Sequence, residues 1–480
     1  MKHAFRTDES FSGTYFVPYM NDPSFFLLNL LNFSAMKLSH IHFYFLFLSS
    51  ILSHTCLAQT ASLEISGQTQ FVSDTCSIRV KGLAPNQVAT ISARILDQRN
   101  RPWLSSASFK ANKEGLIDLT TQAPFEGSYT GVDPMGLFWS ASYRGLSPDS
   151  TNAVFSRRAL FTYATQIYLE VDGQVLDSLR FARKFLGEDV RRDSVANGDL
   201  KAIYYQPQKP KVKGALIVLA GSDGGITSAD WRAALLASHG IPALALAFFD
   251  YEGLPEDLIE LPLEYLDQAV KFLKGKNHER IGILGFSKGS EFTLAYASKM
   301  SHDLAAVVAI SPSTYVWQGI NRNVDVKSSW TKDGQALDFV KWQYNQEVIG
   351  MLRSSGPKRF SLLYTHSLQA TDSLSLKKAE LNLDKARCPS LLIAGTDDGS
   401  WPADVMVERL YQQKKSIRPD APIEKMIFPD AGHLIYFDFL PATDSRRQGP
   451  QIFGGNISAN AYARRKAWPR ILTFLYEHLN

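Results

Sequence analysis

The sequence predicts an α/β body built on a doubly wound, mostly parallel sheet and preceded by a smaller all-β sandwich. Three observations carry this reading. The hydropathy pattern changes near residue 200, from short alternating runs to strands that alternate with helices. A Gly285-Phe286-Ser287-Lys288-Gly289 pentapeptide stands between a buried-strand pattern and a helical one. An acidic turn and then a histidine follow it, in that chain order.

At 480 residues the chain has room for about three average domains of roughly 150 residues. A composition 45% apolar and 12% aromatic supplies large cores and excludes disorder over most of the length. Lys plus Arg number 51 against 47 for Asp plus Glu, and a net charge of +4 gives no basic footprint for nucleic acid. Three cysteines without C-x-x-C spacing exclude a disulfide-dense scaffold and argue against structural zinc. No metal or organic cofactor is suggested by the residues.

Residues 1–58 read as an upstream extension followed by a signal peptide. Met36-Lys37 gives a basic head, residues 41–52 an apolar middle, and Thr55-Cys56-Leu57-Ala58 a small-residue cut before Gln59. This layout places the start at Met36 and the mature protein outside the cytoplasm, periplasmic or secreted. The apolar run, about a dozen residues, is short against the roughly 20 of a membrane span. An N-terminal anchor is the alternative; no membrane insertion is expected once a signal is removed. Cys56 fits a lipidation box poorly. Cys76 and Cys388 then face an oxidising compartment, where they read as buried free thiols or, as the alternative, a bridge between two domains.

Residues 59–195 hold the sandwich, of immunoglobulin-like type. Alternating runs at 63–65, 76–80, 89–95, 116–119 and 167–171 are separated by Gly, Pro, Asn and Asp, the pattern of antiparallel strands. No titratable cluster with catalytic spacing falls there, so a structural or recognition role is expected.

Residues 196–480 hold the catalytic body. Runs 214–220 and 242–248 read as buried strands. Leu263, Leu266, Val270 and Leu273 recur at helical spacing, and strands follow at 281–284, 305–310 and 390–394. The irregular stretch 315–385 is too long for a plain connection and reads as an insertion capping the site.

The chemistry concentrates at Ser287. G-x-S-x-G between a strand and a helix is the setting of a nucleophile elbow, whose glycines let strand and helix crowd together while the serine is pushed to the sheet's carboxyl end. A serine hydroxyl needs a base to take its proton and a carboxylate to orient that base. Gly395-Thr396-Asp397-Asp398 ends a strand pattern and offers the acid; Asp398 is preferred and Asp397 stays open. Only His433 and His478 follow. His433, in a loop after a strand pattern, is the expected base, and His478 near the C-terminus reads as solvated. Backbone N–H groups of Lys288 and of Ser222, in the turn Gly221-Ser222-Asp223-Gly224-Gly225, are the expected oxyanion donors. That turn could instead cradle phosphate, but no G-x-x-x-x-G-K-[ST] pattern accompanies it.

These residues resemble the acyl-CoA thioesterase and bile acid-CoA:amino acid N-acyltransferase (BAAT) family, within the α/β-hydrolase fold. In the front half the resemblance rests on Val80-Lys81-Gly82-Leu83-Ala84-Pro85 and on Gly131-Val132-Asp133-Pro134-Met135-Gly136-Leu137-Phe138-Trp139-Ser140. In the rear half it rests on 221–225, Tyr251-Glu252-Gly253-Leu254-Pro255, 285–289, 395–398, Ala431-Gly432-His433 and Phe453-Gly454-Gly455. It implies an acyl-enzyme mechanism on a thioester, with nucleophile, acid and base at Ser287, Asp398 and His433. The acyltransferase branch looks to use cysteine, so serine favours hydrolysis over transfer to an amine. The expected function is acyl-CoA thioester hydrolysis, with a secreted carboxylesterase or an acyltransferase as alternatives on the same scaffold and an inert binding protein from another class. The partner is a small acyl ester or thioester; the oligomeric state cannot be read. Two features stand apart from this pattern: Pro469 should kink or shift the last helix, and an exported enzyme would not ordinarily meet acyl-CoA.

Overall fold

Strand–helix alternation after residue 200 becomes one twisted eight-stranded sheet in the structure, a computed structural model that describes residues 61–67, 69–147, 153–300, 304–323, 325–383, 386–443 and 446–480. The expected extension, signal, start at Met36 and Cys56 lie outside the described residues.

The front strands, in chain order, are β1 (Ser62–Gly67), β2 (Cys76–Lys81), β3 (Val88–Leu96), β4 (Pro102–Lys110), β5 (Ile117–Asp118), β6 (Glu126–Gly127), β7 (Ser142–Tyr143), β8 (Thr162–Val171) and β9 (Gln174–Lys184). They form two antiparallel sheets, β1-β2-β5 and β6-β4-β3-β8-β9, with β7 added against β4. Alternation decides which residues face inward: along β3 the buried set is Ala89, Ile91, Ala93 and Ile95, one in two. Residues of both sheets, such as Ile78 and Ile91, belong to one apolar core.

The rear strands are β10 (Val190–Asn197), β11 (Leu200–Pro207), β12 (Ala215–Leu219), β13 (Ala243–Leu246), β14 (Leu261–Pro262), β15 (Ile281–Phe286), β16 (Ala306–Ile310), β17 (Trp330–Lys332), β18 (Gln335–Ala336), β19 (Ser390–Gly395) and β20 (Ile423–Phe428). The large sheet runs β10-β11-β13-β12-β15-β16-β19-β20. It is antiparallel through β10, β11 and β13 and parallel from β13 onward. A parallel sheet covered on both faces must be apolar on both, and β12, β15, β16 and β19 are buried at every position. Its two faces feed two cores: Leu216 and Val218 point into one, Ala215, Ile217 and Leu219 into the other. The first of these cores is continuous with that of the front sandwich. Residues 59–480 accordingly form one compact unit.

The stretch 315–385 leaves and rejoins the body side by side, with Leu381 N–H on Thr314 O at 2.7 Å and Val316 N–H on Ala379 O at 2.9 Å. It carries β17, β18 and the helices Gln346–Arg353, Ser361–Ala370 and Ser373–Ala379. It also recruits a piece of the body, since β14 pairs with β17 in a small separate sheet. The last helix spans Ile457–His478 with Pro469 inside it, so of the two expected effects, a kink or a shifted start, the shifted start is absent. About three turns already precede Pro469, and the buried face Ala463, Ala467, Ile471 and Phe474 holds the segment across the missing N–H. Cys76 and Cys388 are both free and buried. Among the described residues no helix is long and apolar enough to cross a membrane.

Candidate active site

Ser287 follows directly on β15 and precedes the helix Lys288–Lys299, in a backbone conformation (φ 53°, ψ −120°) that L-residues rarely adopt. The crowding expected of the glycines is real. A Cβ on Gly285 would meet Gly289 O at 2.3 Å, and one on Gly289 would meet Ala220 O at 2.0 Å. Strand and helix therefore approach at a distance only glycine permits. The strained turn is held by Ser287 N–H on Ile310 O at 3.0 Å and by Ser290 Oγ–H on Ser287 O at 2.7 Å. Gly289→Ala is expected to lower stability by about 1–3 kcal/mol, as overpacking does. Urea denaturation checks it, and a loss under about 0.5 kcal/mol would show that the turn can widen.

Three loops at the carboxyl end of the parallel strands converge on Ser287. His433, in the loop after β20, sets Nε2 2.8 Å from Ser287 Oγ. Its Nδ1 lies 2.7 Å from Asp398 Oδ2, in the turn after β19. With the proton on Nδ1, the ring donates to the carboxylate and Nε2 is free to accept from the serine hydroxyl. The Asp398 carboxylate is itself fixed, since Oδ1 accepts N–H bonds from Ser400 at 2.7 Å and Trp401 at 3.2 Å. All three side chains are buried, with Ser287 7%, Asp398 4% and His433 2% exposed.

Of the two neighbouring aspartates, Asp398 is the one that contacts His433. Asp397 points away from His433, pairs with Arg359 and accepts Gly455 N–H at 2.8 Å. It clamps the third loop, which carries Phe453-Gly454-Gly455. That loop in turn holds the other two: Phe453 O accepts N–H from His433 and from Gly399, both at 2.9 Å, and the Phe453 ring stacks on the imidazole. Trp401 stands edge-on to His433 and donates Nε1–H to Ser311 O at 3.1 Å, while Ser311 Oγ–H donates to His433 O at 2.7 Å. Phe453, Trp401 and Arg359 are supports that motif reading left unassigned. His478 packs on Phe474 at the far end of the last helix.

Ser222 and Lys288 both line the cavity that opens on Ser287. Gly221, beside Ser222, comes so close that a Cβ on it would lie 3.1 Å from Ser287 Cβ. Among the described residues the N–H groups of Ser222 and Lys288 donate to no other protein group. Two amides are thus available beside the serine, as an oxyanion requires.

The Lys288 side chain turns the other way, into the protein. Its Nζ donates to Glu291 Oε2 and Ser329 Oγ, both at 2.8 Å, and both members of the ion pair are fully buried. Glu291 Oε1 accepts N–H from Trp317 at 3.0 Å and Nε1–H from Trp330 at 2.9 Å, and Trp330 stacks on Phe292 at 4.5 Å. Burial pushes the Lys288 ammonium down and the Glu291 carboxyl up from their usual ranges, and each partner's charge opposes the other's shift. The elbow helix is thereby tied to the insertion 315–385.

The cavity has a volume of about 810 Å³. Its insertion side is apolar and aromatic, with Trp342, Phe360, Leu363 and Tyr364. The front sandwich, expected to have a structural or recognition role, also reaches it through Arg99, Arg101 and residues 154–158. Among the described residues no group of three or more His, Cys, Asp or Glu could hold a metal ion.

A mostly parallel sheet with a serine on a strained strand-to-helix turn, facing a histidine from a later loop, defines an α/β-hydrolase. Residues 73–197 match the acyl-CoA thioester hydrolase/BAAT N-terminal region, and residues 261–480 the BAAT/acyl-CoA thioester hydrolase C terminal. The chain belongs to that family. It is 31% identical over 452 residues to acyl-coenzyme A thioesterase 6 of Homo sapiens, covering 88% of this chain and 98% of the relative. It is 32% identical over 423 residues to acyl-coenzyme A amino acid N-acyltransferase 1 of Mus musculus, covering 85% and 95%. Among solved structures, an esterase of Pyrococcus furiosus aligns over 61% of this chain and 91% of its own, at 17% identity and a TM-score of 0.36.

Proposed function

We propose that the protein hydrolyses acyl-CoA thioesters through an acyl-enzyme on Ser287. The observation that carries this reading is the unbroken hydrogen-bonded chain from Ser287 Oγ through His433 to Asp398 at the floor of a large, partly apolar cavity. His433 Nε2 takes the hydroxyl proton as Oγ attacks the thioester carbonyl. The tetrahedral oxyanion is received by the N–H groups of Ser222 and Lys288. The C–S bond then breaks, and the thiol leaves with the proton held on His433. Water repeats the sequence on the ester: His433 takes its proton, hydroxide adds to the acyl carbon, and the fatty acid departs as Oγ recovers its proton. Asp398 keeps Nδ1 protonated throughout and stabilises the imidazolium.

A second reading is acyl transfer to an amine, favoured by the equal similarity to a named N-acyltransferase. Serine supports hydrolysis, because its ester intermediate is readily cleared by water. The deciding assay follows thiol release from acyl-CoAs of graded chain length, beside chromogenic esters, with Ser287→Ala as control. Thioester turnover that disappears in the control, with free fatty acid as product, is the expected result. Turnover of simple esters without any thioester would leave a carboxylesterase, and, with glycine added as acceptor, acyl-glycine formed in preference to free acid would establish transfer.

A further inference from the structure

The front sandwich and the first long helix of the rear half supply a cluster of cations to the catalytic cavity. Six basic residues line it, at positions 99, 101, 157, 158, 232 and 288, with the Lys288 side chain turned away into the protein, against one acidic residue, Asp223. Three of the six are already committed. Arg101 pairs with Asp97 at 2.6 Å and donates to Val154 O at 2.7 Å, which fixes segment 154–158 against the β3–β4 turn. Arg157 pairs with Asp438 at 2.9 Å and donates to Pro441 O at 2.9 Å, which fastens the same segment to the loop beyond His433. Lys288 is spent on Glu291.

The other three stand differently. Among the described residues Arg99, Arg158 and Arg232 form no ion pair, although all three line the cavity. Arg99 and Arg158 are exposed. Arg232, in the helix Thr227–Ser238, is 2% exposed, and its buried Nε–H has no partner. Its guanidinium is held over Trp231 at 4.1 Å and over the ring of Phe286, beside the nucleophile, at 4.8 Å. Burial lowers its pKa to about 10, so it stays charged at neutral pH. Arg232 donates to Ser228 O at 2.5 Å and Arg158 to Arg157 O at 2.8 Å, both neutral carbonyls. A buried, charged guanidinium with an unpartnered Nε–H, beside two toward solvent that no carboxylate pairs, suits anionic oxygen.

Resting on the thioesterase reading above, we propose that Arg99, Arg158 and Arg232 form a subsite for the phosphate groups of the substrate's leaving thiol. The front sandwich would then act as the specificity element for that end. The chemistry divides by origin of the lining. The insertion contributes Trp342, Tyr344, Leu352, Phe360, Leu363 and Tyr364, which suit an acyl chain, while the sandwich and the Thr227–Ser238 helix contribute cations. A carboxylate on a dicarboxylic acyl group carries the same anionic chemistry, and the test separates the two sources.

The test compares the full chain with an Arg99→Gln/Arg158→Gln variant, changing exposed residues so that folding is spared, and with Arg94→Gln as a control that removes an exposed arginine outside the lining. Binding of free CoA is measured by titration calorimetry. Turnover is measured on an acyl-CoA, on the N-acetylcysteamine thioester of the same acid, and on the N-acetylcysteamine thioester of a dicarboxylic acid. The expected result is a loss of CoA affinity of about tenfold or more, with a matching fall in the kcat/KM ratio of acyl-CoA to the short monoacid thioester. Neither change is expected in Arg94→Gln. No CoA binding by the unaltered protein, or equal binding by the double variant, overturns the subsite. Sensitivity confined to the dicarboxylic thioester overturns its assignment to the leaving group. CoA binding that depends on the arginines without any thioester turnover would keep the subsite and reject the thioesterase reading, whereas turnover indifferent to the arginines would do the reverse.

Discussion

Ser287→Ala is expected to lower thioester turnover by about a millionfold, and Asp398→Asn by about ten-thousandfold. The two losses have different origins. Without Oγ no acyl-enzyme can form, and only binding and the backbone donors remain to assist water. With Asn at 398 every heavy atom can stay in place, yet the amide can donate to Nδ1 and so favours the tautomer whose Nε2 carries the proton. Nε2 then cannot accept from Ser287 at its 2.8 Å contact. Asp397→Asn provides the internal comparison. Its carboxylate is partly exposed, paired with Arg359 and turned from His433, so loss of that exposed pair is expected to cost no more than about 1 kcal/mol of stability and a few-fold in kcat. Single-turnover kinetics on the three variants, with circular dichroism to verify folding, make the measurement. A thousandfold loss in Asp397→Asn with a small one in Asp398→Asn would reverse the assignment of the acid.

That comparison also marks how far motif reading reaches. The order serine, acid, histidine and the strand or loop position of each are local properties, legible because β15 and β19 are short and apolar and the turns after them are marked by glycine. Which of two adjacent aspartates turns toward His433 is not local. It depends on Gly455 N–H and Arg359 claiming Asp397, and those residues lie 58 and 38 positions away. The edge strand β10 escaped for another reason: it carries Arg191, Arg192 and Asp193 and lacks the continuous apolar run by which a parallel strand is recognised. β4 and β9 are antiparallel strands that alternate small or charged residues with apolar ones, a weaker signal than β3 gives.

The cationic lining was invisible for a topological reason. Arg99 follows β3, Arg158 precedes β8, and Arg232 sits on a helix of the rear half. No spacing in the sequence links them; the link is the packing of segment 154–158 against the His433 loop through Arg157 and Asp438. A front half without catalytic spacing can still shape the substrate, because recognition needs charge at a cavity wall and not a motif.

The pair Lys288 and Glu291 lay between these extremes. Three residues apart on one helix, they could be read as neighbours on one face, but not as buried. Burial makes them consequential. Lys288→Met alone is expected to cost about 3–5 kcal/mol, because it strands Glu291 where Trp317 and Trp330 donate to it but no cation balances it. The double variant Lys288→Met/Glu291→Leu is expected to recover most of that loss, since apolar side chains of similar volume suit the site. The pH dependence separates a stranded charge from simple misfit. In the folded single variant the carboxyl pKa is raised by burial without the opposing ammonium, while in the unfolded chain it ionises near its ordinary value of 4.5. A folded pKa above the unfolded one gives stability that is full at low pH and lost as pH rises through the folded pKa. The deficit of Lys288→Met relative to the unaltered protein should therefore widen from about pH 5 upward, and that of the double variant should stay level. Urea denaturation between pH 5 and pH 8 reads both. A deficit independent of pH would mean that the lysine serves by its shape, and a double variant as unstable as the single one would mean that the elbow and the insertion need the polar contacts themselves.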